Sequence, residues 1–435
     1  MTQQLIPFQE PLAEQIGLPL LRPGGRVINA LCTGSGKTFI ACELIRRDPQ
    51  RTLIICPKSV MTNWHRVAER FGVELAGVVN PERISLGRCD WYDGTHWFLK
   101  KNNIGRIIWD EVHKGASGES SKATEALLKL RHWDTGQVMV MSATVADSPL
   151  KLRAIGGLFG LHNGTLPGFR KWCMDHGCKY VANRNTPGGR WVFRALPGQS
   201  CADIMAKIRK DLGDRFVSIK QNEIPEFPEC QIRAELFDLD ARSEKELNAL
   251  YEQMPAKVKE EASKDDMVAR LRARQKAEYY KLGLFEELII DALEENLSPV
   301  VFLNFRDSLF ALHKRLVAKG ITKVSLVYGE QEDRQVNLDA FQRNDNLVTL
   351  ATSGAGGVGV DMHDVLKVRP RVTYINPGEN AADMVQVLGR THRAGGTAVV
   401  QTFVLAAGTV EEQVQRALDR KLQNIDSLNS GDLTL

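Results

Sequence analysis

Lys37 is the residue from which a chemistry can be built. It stands in Thr33-Gly34-Ser35-Gly36-Lys37-Thr38, after the apolar run Val27 to Leu31 and before the helical pattern Phe39 to Arg47. Glycines there let backbone N–H groups curl round phosphate oxygens, and the helix N-terminus adds positive potential. Lys37 would neutralise charge on the β- and γ-phosphates, and the Thr38 hydroxyl would reach Mg²⁺. The strict form of such a loop fails at its first position, where Leu31 replaces glycine. A second constellation follows the run Ile107-Ile108-Trp109, in Asp110-Glu111-Val112-His113. At a strand end Asp110 would hold Mg²⁺ through water, and Glu111 would orient or deprotonate an attacking water. Paired acids at a strand end are ordinarily just solvated, so the phosphate loop is what gives these two a substrate. His113 either couples them to Ser142-Ala143-Thr144 or caps a loop.

Three further stretches extend this chemistry. Gln9, beside Phe8, could grip the N6/N7 edge of adenine and make ATP the nucleotide; the alternative is an ordinary N-terminal segment. The Gly-rich turn Thr352 to Asp361, including Gly359, permits close approach of a phosphate backbone or the nucleotide. In Gln386 to Arg393 the pair Arg390 and Arg393, three apart, would share one helix face and stabilise charge on a transferring phosphoryl group without deprotonating.

These residues need sheets to hold them. Short β-branched runs alternate with helical periodicity twice: Val27 to Leu31, Leu53 to Cys56, Ile107 to Trp109 and Val138 to Met141, then Val300 to Asn304, Val324 to Tyr328, Leu347 to Ala351, Val372 to Asn376 and Val399 to Leu405. That is the pattern of parallel sheets with helical crossovers, and it predicts two α/β domains in tandem. Between them, from about Leu236 to Leu293, lies a strand-free, highly charged stretch read as helices and connector. The expected divisions are 1–230, 231–293 and 294–435. A length of 435 residues, 43% hydrophobic and 25% charged, excludes disordered, collagen-like and coiled-coil chains. A formal charge of +4 excludes wholesale basicity, so any polyanion site must be a local groove. With neither a signal peptide nor a long apolar run, a cytoplasmic location is expected, nucleoid-associated or in the host cytoplasm if the source is viral, with no membrane partner and a monomeric state. Cys173, His176 and Cys178, with Cys201 or Cys230, could hold zinc, but the spacing is cramped and buried thiols are the default reading.

In its motif order the chain resembles the Swi/Snf-type ATPases of helicase superfamily 2, in a minimal form without accessory chromatin domains. The likeness runs from Leu5 to about Lys421 and includes Asn63-Trp64 in Cys56 to Trp64, Val301 to Phe305, and the closing Gly408-Thr409-Val410-Glu411-Glu412. Phe169-Arg170-Lys171-Trp172-Cys173 resembles, weakly, the annealing-helicase subgroup. The resemblance implies two RecA-like domains, ATP and Mg²⁺ as cofactors, and a catalytic set of Lys37, Asp110, Glu111, Gln386, Arg390 and Arg393. It implies sequence-independent contacts to duplex or branched DNA at Lys58, Ser59, Asn63, Arg306, Thr352 and Ser353. The activity it implies is ATP-driven translocation on DNA. Strand separation of DNA or RNA is the second reading, and a recruitment module with little turnover the third. Arg270, Arg274 and Lys281 would form either a further DNA contact or a solvated face. Targeting would fall to a protein partner or to DNA shape.

Overall fold

The computed structural model describes residues 3–116, 119–182, 189–220, 223–225, 227–239, 241–252, 264–329, 331, 333–356, 361–378, 381–407, 409 and 411. Two compact units emerge, one built on Met1–Val181 and Trp191–Pro225, the other on Ala182–Arg190 and Glu226–Lys421. Each of the apolar runs named above becomes a strand.

The first unit holds β1 (Arg26–Asn29), β2 (Thr52–Ile55), β3 (Gly77–Val79), β4 (Arg106–Asp110) and β5 (Gln137–Met141). A separate two-stranded sheet, β6 (Cys178–Ala182) with β7 (Gly189–Phe193), precedes the short β8 (Phe216–Val217). The main sheet runs β3-β2-β4-β5-β1-β8 and every pairing is parallel. Strands β2, β4 and β5 are buried along their whole length, as parallel strands covered on both faces require. Ile28, Ile107, Trp109, Val138 and Val140 form one side of the core with Ala126, Leu127 and Ile208. Register decides where chemistry can occur: Asn29 and Asp110 both pair with Met141, so the C-terminal ends of β1, β5 and β4 lie in one row.

The second unit holds β9 (Cys230–Phe237), β10 (Ser298–Leu303), β11 (Val324–Val327), β12 (Val348–Thr352), β13 (Arg371–Ile375) and β14 (Val399–Ala406), in the order β11-β12-β10-β13-β14-β9, again all parallel. β9 was not expected. It pairs with β14 from Cys230–Val399 to Phe237–Ala406, but as an edge strand it is largely exposed and so lacks the continuous apolar run that marked the others. The segment read as a connector also sits within this unit. Its last helix, Leu282–Glu294, buries Leu282, Phe285 and Ile289 against Val301, Leu303 and Leu309. Among the described residues no helix is long and apolar enough to cross a membrane.

Candidate active site

The phosphate loop leaves β1 and enters helix Lys37–Arg47 through Gly34 (φ +81°) and Gly36 (φ +85°), both left-handed. A Cβ on Gly36 would lie 2.1 Å from Gln9 Nε2, so glycine is required twice over there. Lys37 Nζ donates to the carbonyls of Leu31 at 3.0 Å and Cys32 at 3.1 Å, which holds the ammonium over its own loop. Gln9 is buried and fastens the same loop: Nε2 donates to Ser35 O at 2.9 Å, and Oε1 accepts from Ile6 N at 3.2 Å. Each amide group keeps one further hydrogen or lone pair, so reading adenine remains open to Gln9 while it braces the loop.

Asp110 is the last residue of β4, one strand away from β1 across β5. It is buried, with Oδ2 accepting from Trp64 Nε1 at 2.9 Å and Oδ1 from Glu111 N at 2.9 Å. Burial above all, then the Glu111 charge, holds this carboxyl well above the usual carboxylate range, against the Trp64 bond and the Lys37 charge. A carboxylate so placed gains more from a divalent cation than a solvated one would, which fits the Mg²⁺ role. Among the described residues no three or more His, Cys, Asp and Glu stand together as a metal cluster. A cation at Asp110 would therefore draw its other ligands from Thr38, water and phosphate oxygens, as Mg²⁺ does. Glu111 has φ +49°, a left-handed backbone that costs energy for a non-glycine residue and is tolerated where function demands it. His113 Nδ1 lies 3.4 Å from Glu111 Oε2 and 2.8 Å from Ser142 Oγ, which itself accepts from Thr144 N at 3.0 Å. Of the two readings of His113, the structure shows the coupling one.

Trp64 is a further candidate, at 2.9 Å from Asp110, that sequence reasoning missed. It was noted only as half of Asn63-Trp64, yet the burial of Val60, Trp64, Val67, Ala68 and Phe71 at helical spacing points it inward, onto Asp110. Asn63 is half-buried and accepts from Arg66 at 3.2 Å; Lys58 is exposed; the Ser59 side chain lies outside the described residues.

In the second unit Arg306 and Thr352 meet on one surface. With Asn304, Tyr328, Gly329 and Gly354 they line an open pocket of about 350 Å³. The Arg306 guanidinium stacks 4.7 Å from the Tyr328 ring and 5.5 Å from that of Phe310. Ser353 does not join them, because it is buried and its hydroxyl donates to Leu303 O at 3.3 Å. Gln386 and Arg390 are buried on helix Ala381–Thr391. The shared helix face expected of Arg390 and Arg393 is not found. The helix ends at Thr391, whose hydroxyl bonds Thr373 Oγ1 at 2.8 Å and accepts from Gln401 at 2.9 Å, and the chain then turns at Gly395 (φ +84°). Arg393 pairs instead with Asp361 at 2.9 Å, so two residues assigned to different tasks are each other's partner. Gly359 lies outside the described residues. Lys281 is no surface cation: it is fully buried, bonding Glu411 at 2.7 and 2.8 Å and Val404 O at 3.1 Å. The Arg270 side chain lies outside the described residues. Cys173 and Cys178 are buried free thiols in one apolar cluster, while Cys230 belongs to the second sheet.

Two parallel sheets of this strand order, with a phosphate loop in the first, make the molecule a pair of RecA-like domains. The solved structure of S. cerevisiae Dbp5 bound to RNA and ADP BeF3 superposes with a TM-score of 0.54 at 13% identity, covering 95% of this chain and 87% of that one. Residues 281–395 match the family model described as helicase conserved C-terminal domain. A protein of Acanthamoeba polyphaga mimivirus named as an ATP-dependent RNA helicase is 27% identical over 449 residues, covering 94% of this chain and 80% of the relative. A DEAD-box ATP-dependent RNA helicase of Oryza sativa subsp. japonica is 27% identical over 137 residues, 31% of this chain and 21% of the relative. The narrower likeness to Swi/Snf-type DNA translocases finds no support in these relatives, and neither does DNA as the particular partner.

Proposed function

We propose that the chain is a nucleic-acid-stimulated ATPase that separates strands, with RNA favoured over DNA as its substrate. The observation that carries this reading is the row formed by the phosphate loop after β1 and Asp110-Glu111 at the end of β4, in a fold shared with the structure of Dbp5 bound to RNA and ADP BeF3. The names of the curated relatives support RNA. ATP with Mg²⁺ would supply the phosphoanhydride whose cleavage drives the motor. Lys37 would neutralise its terminal phosphates, exchanging its carbonyl partners for them, and Thr38 and Asp110 would hold the cation. Glu111 would take the proton of the attacking water as the bond between the β- and γ-phosphates breaks, with His113 fixing the orientation of Glu111 and reporting to Ser142. Trp64 keeps the Asp110 carboxylate turned to its task. Arg390 is assigned to the charge that develops on the phosphoryl oxygens, and Gln386 to the same helix's contribution. Arg393 is held by Asp361 through one Nη and could join with its remaining N–H donors. The pocket around Arg306 and Thr352 would take backbone phosphates, independent of sequence.

Translocation on duplex DNA without strand separation is the second reading, favoured by the Asn63-Trp64 and Gly408 to Glu412 stretches. Its support is weaker than the sequence implied, since Trp64 and Glu411 both make internal bonds of their own unit. Displacement of a labelled strand from tailed RNA and DNA duplexes tests the choice. ATP-dependent release of an RNA strand is expected. Stimulated hydrolysis with no release from any duplex would return the DNA-translocation reading. A recruitment module would keep its function in Glu111→Gln, which a motor would not.

A further inference from the structure

The insertion between β5 and β8 has no part in the site above. Between β5 and β8 the chain inserts helix Leu166–Asp175 and the two-stranded sheet β6–β7. Phe169, Cys173 and Cys178 are buried there, with Trp172, Trp191 and Phe193 packed around them. Arg194 N donates to Gly177 O at 3.0 Å and closes the base of the hairpin. Its outer part is different in character. Tyr180 is 53% exposed, held edge-on to Trp191 with ring centroids 5.6 Å apart. Lys171, Lys179, Arg190 and Arg194 are exposed. Arg170 is exposed as well, and paired with Glu119 at 2.7 Å.

Charge marks what this surface would bind. Residues 166–194 carry six Lys or Arg against the single Asp175, a local excess of five in a chain whose whole formal charge is +4. One of the six, Arg184, lies outside the described residues and is not needed for the argument. An exposed aromatic ring set among cations on a two-stranded sheet is a combination that binds single-stranded nucleic acid: the cations follow the backbone, and the ring stacks on a base whatever its identity.

We propose that β6–β7, with Tyr180 as its stacking residue and Lys179 and Arg190 as its phosphate contacts, is a second nucleic-acid site that takes the single strand at a duplex junction. It rests on the reading of the chain as a nucleic-acid motor, and it supplies the wedge that strand separation requires. The stretch His363 to Pro370, which follows the Gly-rich turn of the second unit, is short for that purpose.

The test uses the full chain with labelled single-stranded RNA and DNA and with tailed duplexes. Tyr180→Ala should weaken single-strand binding about 5-fold or more, the loss of one stacked base, and Tyr180→Trp should restore it. Lys179→Glu with Arg190→Glu should lower the slope of log affinity against log salt by about 1.4, two phosphate contacts on a single strand. Both variants should lose strand displacement by a larger factor than they lose nucleic-acid-stimulated ATP hydrolysis. Wild-type affinity, salt slope and displacement in both would overturn the assignment. Should either variant fail to fold, photocrosslinking decides it on the unaltered protein: a strand carrying 4-thiouridine or 5-iodouracil should label the peptide containing Tyr180, and labelling confined to other peptides would overturn it. If the unaltered protein binds no nucleic acid, the motor reading falls as well. If it binds and the variants bind equally, only the hairpin assignment falls.

Discussion

Trp64 shows how a residue can be read for the wrong reason. Its indole N–H donates to Asp110, so it acts from inside the domain on the carboxylate proposed to hold Mg²⁺. Trp64→Phe keeps the ring but leaves a buried carboxylate oxygen without its donor, a change worth about 1–3 kcal/mol. Hydrolysis should fall severalfold while nucleic-acid affinity without nucleotide stays unchanged. A loss of nucleic-acid binding with hydrolysis intact would instead place Trp64 at a nucleic-acid interface. Lys37→Ala should abolish nucleotide binding or turnover, whereas Glu111→Gln should bind ATP and not hydrolyse it, as read by nucleotide binding and phosphate release. Arg390→Ala should also block hydrolysis with ATP still bound; unaltered turnover would remove Arg390 from the catalytic set. The sequence made Lys37, Asp110 and Glu111 legible because their types and strand-end positions have few other uses together. It could not show that Arg393 is taken by Asp361 or that Ser353 turns inward, because both depend on where a helix stops and how a loop packs.

At the scale of elements, the ends of strands hold the chemistry and buried charges hold the ends. Glu278, on helix Lys264–Tyr280, accepts from Asn304 N at 2.6 Å, Phe305 N at 3.0 Å and Asn376 Nδ2 at 2.6 Å, and so fixes the turn from β10 into the helix that begins at Arg306. Three residues on, Lys281 locks Glu411, whose Oε2 also accepts from Ala406 N at 2.9 Å. A pair buried this deeply should cost about 3–5 kcal/mol when one partner is removed, because the other charge is stranded. Lys281→Met should therefore lower the denaturant midpoint markedly, and Lys281→Met with Glu411→Leu should recover most of it. Equal destabilisation in both would show that packing, not charge, fixes the contact. The helical pattern around Lys281 looked solvated in sequence because its glutamate partner lies 130 positions away. Strand β9 escaped notice for a related reason, since its hydrogen bonds to β14 are made by backbone and its side chains face water.

For the whole molecule nine of the fourteen strands among the described residues were legible, because parallel strands buried on both faces write themselves as apolar runs, while the short β3 and β8 and the edge strand β9 do not. The insertion between β5 and β8 was not, since a small sheet with an exposed face carries no such mark. Stability should depend on pH through three buried imidazoles. His162 and His363 are held down to about 4 by burial, and His392 is lowered for the same reason despite its contact with Pro228 O at 2.6 Å. In the unfolded chain each titrates near its ordinary value of about 6.5. Above that pH both states hold neutral rings and no stability changes. As pH falls through it the unfolded chain takes up protons that the folded one refuses, and stability declines toward pH 4, where the folded rings protonate too. Asp110 works against this, because burial raises its carboxyl to about 7 and the folded chain takes up that proton over the same range. With three rings against one carboxyl the denaturant midpoint should still fall between pH 7.5 and 5, and a rising midpoint there would contradict the shielding of these rings. The measurement that bears most directly on function is the rate of ATP hydrolysis with no nucleic acid and with single-stranded RNA, duplex RNA, single-stranded DNA and duplex DNA in turn. The motor reading predicts severalfold stimulation, largest with RNA and absent in Glu111→Gln. A rate that no nucleic acid raises would contradict it.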